Sequence, residues 1–343
     1  PFIVKRLRDA ADHVRGFAHD RLNIRALEQL IRRGKARGTP SGDDGDSTHA
    51  RTFYAFCPSA LSAYSRSVHN EPWSLPALPS LPTIAMVVAT FVLACTAVYG
   101  TSLENDFVRF DDGLLIVENP IARGITPNNV AKAFTTYDPE LYVPLTIVSY
   151  QLDYMIGGTS PFIYHAHSLA LHVINAILVA WLAFLLSASR RVGMLSGLLW
   201  ALHPLHVEAV SWAAALKDVQ STTFFLSSLI AYVYGRSGDR TRLYWASITL
   251  FTLGLLSKVV VIALPVVLLL LEWREKGRVS SNTLVRILPF VALAIVFGCI
   301  AVFGKIDVLA SSTPWETLLM ALKSTVFTLG KLAWPWDLSV LYP

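Results

Sequence analysis

Long stretches with almost no charge alternate with short polar segments along most of this chain. The first stretch, from Thr83 to Leu103, has no charged residue and is long enough to cross a bilayer core as a helix. Further charge-poor stretches follow a polar segment at 104–160, and they lie at 161–187, 192–212, 219–235, 243–257, 259–271, 287–304 and 315–333. The pattern predicts an all-α, polytopic helical membrane protein with about eight transmembrane helices and a large first extracytoplasmic loop.

Composition agrees with this class of protein. Hydrophobic residues make up 53% of the 343 positions and charged residues only 15%, which is outside the balance of a soluble domain. Cys57, Cys95 and Cys299 show no paired spacing and predict neither a disulfide framework nor a metal cluster. We therefore expect membrane lipids as partners, and no nucleic acid.

The chain is predicted to have two parts. Residues 1–82 are basic from Lys5 to Arg37 and then proline-containing, which indicates a cytoplasmic, partly disordered region and linker. The basic stretch fits either a helix at the membrane surface or a solvated extension. Residues 83–343 form the transmembrane domain, and we expect the chain to be truncated at both ends.

Orientation follows from the arginine and lysine residues of the loops. Every second loop between the predicted spans is basic, and these loops fall on the same side of the membrane as the basic N-terminal region. They carry Arg190-Arg191, the arginines at 236–242 and the basic residues at 274–286. If that side is cytoplasmic, the polar segment at 104–160 faces the periplasm of a bacterial inner membrane or the lumen of the endoplasmic reticulum.

Ionisable residues collect at the predicted outer ends of the spans. Such residues are costly at membrane depth unless they face a protein interior or water, so the topology predicts a polar cavity that could hold a lipid-linked phosphate. The candidate site residues are Asp111, Asp112, His165, His203, His206, Glu208, Lys217, Asp218 and Lys258.

Asp111 and Asp112 are the candidate catalytic residues. A carboxylate in a membrane-side cleft could act as a general base on an acceptor hydroxyl, and its neighbour could support it. The alternative is a solvated Asp-Asp-Gly turn, because these residue types favour turns.

The other candidates also allow two interpretations. His203, His206 and Glu208 could bind a metal, but Pro204 disturbs helical spacing and favours capping and hydrogen bonding, so no metal is expected. Lys217 and Lys258 could neutralise a phosphate leaving group or extend from span ends to the interface. We expect His165, His172 and Asn175, on one helix face, to hydrogen-bond between helices.

The order of motifs resembles the transmembrane and tetratricopeptide-repeat O-mannosyltransferase family and its bacterial relatives. The resemblance covers about residues 104 to 343, and its most specific element is His203-Pro-Leu-His-Val-Glu-Ala-Val-Ser-Trp212. The other motifs are Phe110-Asp-Asp112 with Glu118-Asn-Pro120, Tyr142-Val-Pro-Leu145, Leu152-Asp-Tyr154, the segment from His165 to His172, Lys217-Asp-Val219, Leu256-Ser-Lys258, and Trp334-Pro335 with Leu338-Ser-Val-Leu-Tyr-Pro343.

Membership would imply a GT-C glycosyltransferase that moves a sugar, mannose by analogy, from a polyprenyl or dolichyl phosphate to a protein hydroxyl on the extracytoplasmic side. It would need no cofactor beyond that donor, and Asp111 or Asp112 would be the base. The chain departs from the family pattern at Val143, where a basic or aromatic residue is common, and at Ala215-Leu216, where Glu-Arg is common. No tetratricopeptide repeat is visible.

Two other classes of protein fit the same pattern. A transporter or flippase for a lipid-linked sugar would also need polar groups in the membrane, although usually nearer its midplane. A catalytically inactive membrane scaffold for a repeat domain is the third hypothesis.

Overall fold

A computed structural model describes residues 79–108, 110–137, 141–236, 240–304, 313–336 and 338–339, and all of the regular structure in these residues is helical. The predicted N-terminal region, 1–82, lies almost wholly outside the described residues. Its character and its boundary with the transmembrane domain therefore stay predictions.

Eleven α-helices follow one another in the described part of the chain. The α-helices are α1 Leu81–Tyr99, α2 Pro127–Thr135, α3 Pro144–Gly157, α4 Pro161–Ser187, α5 Arg190–Ala201, α6 His206–Ser211, α7 Leu216–Gly235, α8 Thr241–Ser257, α9 Leu264–Lys276, α10 Ser281–Gly304 and α11 Pro314–Ala333. Tighter or wider helical turns lie at Gly100–Glu104, Gly113–Val117, Pro120–Ala122, Ala213–Ala215 and Val259–Ala263.

Three helices among the described residues are long and apolar enough to cross a membrane. They are α1 with the turn that follows it, Leu81–Glu104, together with α4 and α10. The prediction of an all-helical membrane protein is therefore confirmed. The other predicted spans overlap helices, in part or in full, but their passage through the bilayer stays a prediction.

Two predicted stretches have a different local structure from the one expected. The run 192–212 is not one helix, because α5 ends at Ala201 and α6 begins at His206, with Pro204 between them. The first loop is largely helical, since it contains α2 and α3. The division of 243–271 at Lys258 is confirmed: α8 ends at Ser257, and Lys258 has extended backbone, with φ −162° and ψ 131°.

Close packing of α5 against α4 depends on two glycines. A Cβ atom on Gly197 would lie 2.6 Å from Phe91 Cζ and 2.7 Å from Ala180 Cβ, and one on Gly193 would lie 2.7 Å from the Ala180 carbonyl oxygen. Small residues four apart allow helix backbones to approach in this way in membranes. The Gly-Met-Leu-Ser-Gly sequence therefore fixes the α4–α5 hairpin.

Helix α3 connects the first loop to the helices that follow it. The Tyr150 hydroxyl donates to the Ala213 carbonyl oxygen at 3.3 Å, and the Thr146 hydroxyl donates to that of Ser257 at 3.0 Å. Thr146 and Tyr150 are both buried. These bonds place the first loop beside the start of α7 and the end of α8, where the predicted site residues lie.

Candidate functional site

A cavity of about 450 Å³ lies between the first loop, α4, α6 and the N-terminal end of α7. We call it the polar cavity. Most of the predicted site residues line it, namely Asp111, His206, Glu208, Lys217, Asp218 and Lys258. The structure thus brings together residues that are up to about 150 positions apart, as the predicted topology requires, while their roles stay predictions.

The two adjacent carboxylates face different surroundings. Asp111 lines the polar cavity with 37% of its side chain exposed, and its Oδ2 lies 3.6 Å from Lys217 Nζ. Asp112 is fully buried, and its carboxylate accepts hydrogen bonds from the backbone amides of Val108 at 2.8 Å and Ala214 at 2.7 Å. Only Asp111 is accessible to a ligand in the cavity.

Burial dominates the electrostatics of Asp112. Removal from water raises the pKa of its carboxyl above the ordinary value, because it disfavours the charged form. The two backbone amide donors and the nearby His165 lower the pKa in part. Asp112 therefore has the environment of a structural carboxylate that joins two segments of the chain.

Two lysines supply positive charge at the polar cavity. Lys217 is buried, donates to the Ala214 carbonyl oxygen at 2.9 Å, and lies 5.6 Å from the centroid of the Trp212 ring. Lys258 is partly exposed and pairs with Asp218 Oδ1 at 2.5 Å. Each ammonium group has a partner within the protein, so its position is fixed before any ligand binds.

The histidines of the most specific motif are divided between the cavity and its surroundings. His206 lines the cavity, with its ring centroid 4.2 Å from that of Trp200. His203 does not line it: its Nδ1 accepts a hydrogen bond from the Leu205 amide, and its Nε2 lies 3.2 Å from the Leu332 carbonyl oxygen. The described residues contain no group of three histidine, cysteine or acidic side chains that could hold a metal ion.

His165 lies on α4, is buried, and does not line the cavity. Farther along α4, His172 and Asn175 do form part of the inner wall, and the predicted bonding between helices is confirmed for both. His172 Nε2 lies 2.9 Å from the Ala201 carbonyl oxygen, and Asn175 Nδ2 donates to that of Val219 at 2.8 Å. The location of His172 and Asn175 at the cavity was not predicted from the sequence. Two polar residues three positions apart on an otherwise apolar helix were the signal that could have indicated this location.

An apolar groove begins where the polar cavity ends. Lys258 lines both, and the groove continues along α10 between residues such as Val143, Val260 and Phe297, with a volume of about 370 Å³. Val302 lines both this groove and a second apolar cavity of about 570 Å³ between α9 and α10. The polar cavity and the apolar groove thus meet at Lys258.

Comparison with known proteins finds relatives that are named protein O-mannosyl-transferases. The chain is 27% identical over 175 residues to protein O-mannosyl-transferase TMTC3 of Mus musculus, covering 48% of this chain and 18% of the relative. It is 31% identical over 144 residues to TMTC1 of Mus musculus, covering 39% and 15%. It is 40% identical over 92 residues to tmtc2 of Xenopus laevis, covering 27% and 11%.

These matches confirm the resemblance to the transmembrane and tetratricopeptide-repeat O-mannosyltransferases. The matched part of the chain spans less than a fifth of the length of the three relatives just described. No protein-family model matches the chain. No solved structure matches it either.

Proposed function

We propose that this chain is part of a membrane glycosyltransferase that moves a sugar, mannose by analogy with its relatives, from a polyprenyl or dolichyl phosphate to a protein hydroxyl. The observation that carries the proposal is the polar cavity, in which the accessible carboxylate of Asp111 stands beside Lys217 and Lys258. The names of the relatives supply the reaction class. The cavity supplies the base and the positive charge that such a reaction needs.

Asp111 is the base in this proposal. It accepts the proton of the acceptor hydroxyl while the hydroxyl oxygen attacks the anomeric carbon of the sugar. The new carbon–oxygen bond forms on the face opposite the phosphate, and the bond from the anomeric carbon to the phosphate oxygen breaks. The phosphate leaves with the electron pair, so the configuration at the anomeric carbon is inverted.

Lys217 and Lys258 act on the leaving phosphate. Negative charge grows on the phosphate as the glycosyl bond breaks, so fixed cations stabilise the transition state more than the ground state. The Ala214 carbonyl oxygen holds Lys217, and Asp218 holds Lys258, which keeps both ammonium groups in place. Because these two cations meet the need for positive charge, the proposed reaction uses no bound metal and no cofactor.

The apolar groove supports a lipid-linked donor. Lys258 stands at the junction of the polar cavity and the groove, so a phosphate beside Lys258 would place an attached isoprenoid chain against Val260 and Phe297. Burial of apolar surface stabilises such a chain by about 25 cal/mol per Å². A free nucleotide sugar would leave the groove unused.

The proposed membrane setting has about eight spans, a GT-C type of fold and the polar cavity on the lumenal side. The basic loops beginning at Arg190, Arg236 and Arg274 would then face the cytoplasm. The relatives described above are animal proteins, which favours the endoplasmic reticulum over a bacterial inner membrane.

Sugar transfer by the purified chain in lipid nanodiscs tests the proposal. The donor is radiolabelled dolichyl phosphate mannose, and the acceptor is a protein with exposed serine and threonine residues. We expect label on the acceptor, and a loss of at least about 100-fold in the Asp111→Asn variant, since a general base contributes that much or more. Asp106→Asn is the matched control, because Asp106 is an exposed aspartate of the same loop outside the cavity.

A flippase and an inactive scaffold, the two alternative functions, would give different results with the same purified protein. A flippase reconstituted in vesicles moves the donor lipid between leaflets and forms no covalent product. An inactive scaffold does neither. Absence of label on every acceptor tested, with correctly folded protein, would overturn the proposed activity.

A further inference from the structure

The inner wall of the polar cavity carries two polar atoms that nothing in the described structure satisfies. They are His172 Nδ1 and Asn175 Oδ1, on side chains that are both fully buried. His172 and Asn175 both line the cavity. They are three residues apart on α4, so they share one face of the helix.

The bonds that these side chains already make fix what the remaining atoms can do. His172 Nε2 lies 2.9 Å from the Ala201 carbonyl oxygen, which only accepts, so Nε2 carries the proton and the neutral ring leaves Nδ1 as an acceptor. Asn175 uses its amide nitrogen to donate to the Val219 carbonyl oxygen, so its Oδ1 also remains as an acceptor. The wall therefore presents two acceptors and requires a ligand with donors.

Buried acceptors without a partner are costly, and a ligand that supplies donors removes this cost. A phosphate group at neutral pH has almost only acceptor oxygens and does not suit the wall. Hydroxyl groups do suit it, since each can donate one hydrogen bond. The lining of the cavity thus combines the cations of Lys217 and Lys258 with hydrogen-bond acceptors at His172 and Asn175.

We propose that His172 and Asn175 form a subsite that binds hydroxyl groups of the donor sugar. This inference rests on the proposed function. Trp200 also lines the cavity and stacks on the His172 ring with centroids 5.0 Å apart, which holds the imidazole in its orientation. The phosphate lies at the lysines, and the sugar points inward to α4.

Equilibrium binding tests the subsite without requiring turnover. The probes are dolichyl phosphate mannose, dolichyl phosphate, and a series of dolichyl phosphate mannoses that each lack one hydroxyl, bound to the protein in nanodiscs. Wild-type protein is expected to bind the intact donor at least about tenfold more tightly than dolichyl phosphate, and to lose about tenfold with each of the deoxy donors that lacks a recognised hydroxyl.

Variants identify the acceptors. In Asn175→Leu, the deoxy donor that depended on Asn175 should bind as tightly as the intact donor, because the group that distinguished them is gone. His172→Phe should do the same for a different hydroxyl. Ser168→Ala is the matched control: Ser168 is a buried polar residue of α4 outside the cavity, so the full pattern of deoxy losses should remain.

The deoxy series uses wild-type protein, so the test stands even if a variant does not fold. Equal affinity for the intact donor, for every deoxy donor and for dolichyl phosphate would overturn the subsite. It would indicate that His172 Nδ1 and Asn175 Oδ1 bind water instead of a sugar. Label on the acceptor protein in the transfer assay, with equal affinities here, would retain the proposed function and reject the subsite. Tight binding that depends on the sugar hydroxyls, without transfer of label, would retain the subsite and reject the proposed function.

Discussion

Asp112 joins the first loop to the start of α7, because its Oδ1 accepts a hydrogen bond from the Ala214 amide at 2.7 Å, across 102 positions of sequence. Its neighbour Asp111 faces the polar cavity and lies 3.6 Å from Lys217. Lys217 in turn donates to the Ala214 carbonyl oxygen. The amide of Ala214 thus fixes Asp112, and its carbonyl oxygen fixes Lys217. These two bonds keep the proposed base, Asp111, close to the proposed cation, Lys217.

Asp111 and Asp112 should respond differently to substitution. Asp112→Ala leaves the buried amides of Val108 and Ala214 without a partner, at about 1–3 kcal/mol each, and should lower the melting temperature clearly. Asp111→Asn should abolish sugar transfer and leave the melting temperature close to that of the wild type. Thermal unfolding in detergent together with the transfer assay measures both. The reverse assignment of effects would show that Asp112 is the base.

Stability should depend on pH through Asp112. Its pKa is raised in the folded protein, while that of the unfolded carboxyl is about 3.9. Above pH 3.9 the folded state keeps a proton that the unfolded state has lost, so the stabilisation is complete below this pH and is lost as pH rises through the folded pKa. The melting temperature of the wild type minus that of Asp112→Asn should therefore fall as the pH rises above about 4. A difference that is constant or increases would contradict the burial argument.

Lys258→Gln should reduce transfer by about 100-fold, since loss of one charged group at a developing negative charge typically costs this much. The reduction should be largest in kcat, because the charge on phosphate grows in the transition state. Lys132→Gln is the control, because Lys132 is an exposed lysine of α2 outside the cavity. An unchanged kcat in Lys258→Gln would remove Lys258 from the proposed reaction.

Gly197→Leu should destabilise the protein by about 1–3 kcal/mol, because its side chain has no room beside Phe91 and Ala180. Gly330→Leu in α11 provides the comparison, since no atom lies within 4 Å of a Cβ placed at that position. Melting temperatures in detergent measure the two effects. If both variants melt alike, the α4–α5 contact does not need a glycine.

Chelation of divalent metal ions should leave transfer unchanged. Lys217 and Lys258 carry the positive charge of the proposed reaction, so removal of metal should not affect the leaving phosphate. Transfer measured with and without EDTA tests this, with acceptor and donor concentrations held constant. A loss that added Mg²⁺ or Mn²⁺ restores would show that the lysines are not sufficient.

The apolar pattern predicted helices well, because helix positions in a membrane protein follow from charge-free length. The run 161–187 coincides with α4, and the break at Lys258 lies where the sequence places a charge between two apolar runs. The pattern failed at α3, where Ser149, Gln151 and Asp153 are buried by neighbouring helices that periodicity does not reveal. It also joined α5 to α6 across Pro204, because hydropathy does not register a loss of backbone hydrogen bonding.

The site was predictable to the same extent. Topology placed Asp111, Lys217 and Lys258 at one level, and all three line the polar cavity. Sequence could not decide which of two adjacent carboxylates is accessible, since that depends on the turn at Val108 and on the distant Ala214 amide. The two unpaired acceptors of α4, on His172 and Asn175, also could not be predicted from the sequence. Which of their atoms remain unpaired depends on the hydrogen bonds to the carbonyl oxygens of Ala201 and Val219.

Lys258 lines both the polar cavity and the apolar groove. In the proposed reaction this side chain would meet both the phosphate and the beginning of the lipid tail. A substitution at Lys258 is therefore expected to change selectivity for the headgroup and for the tail at the same time.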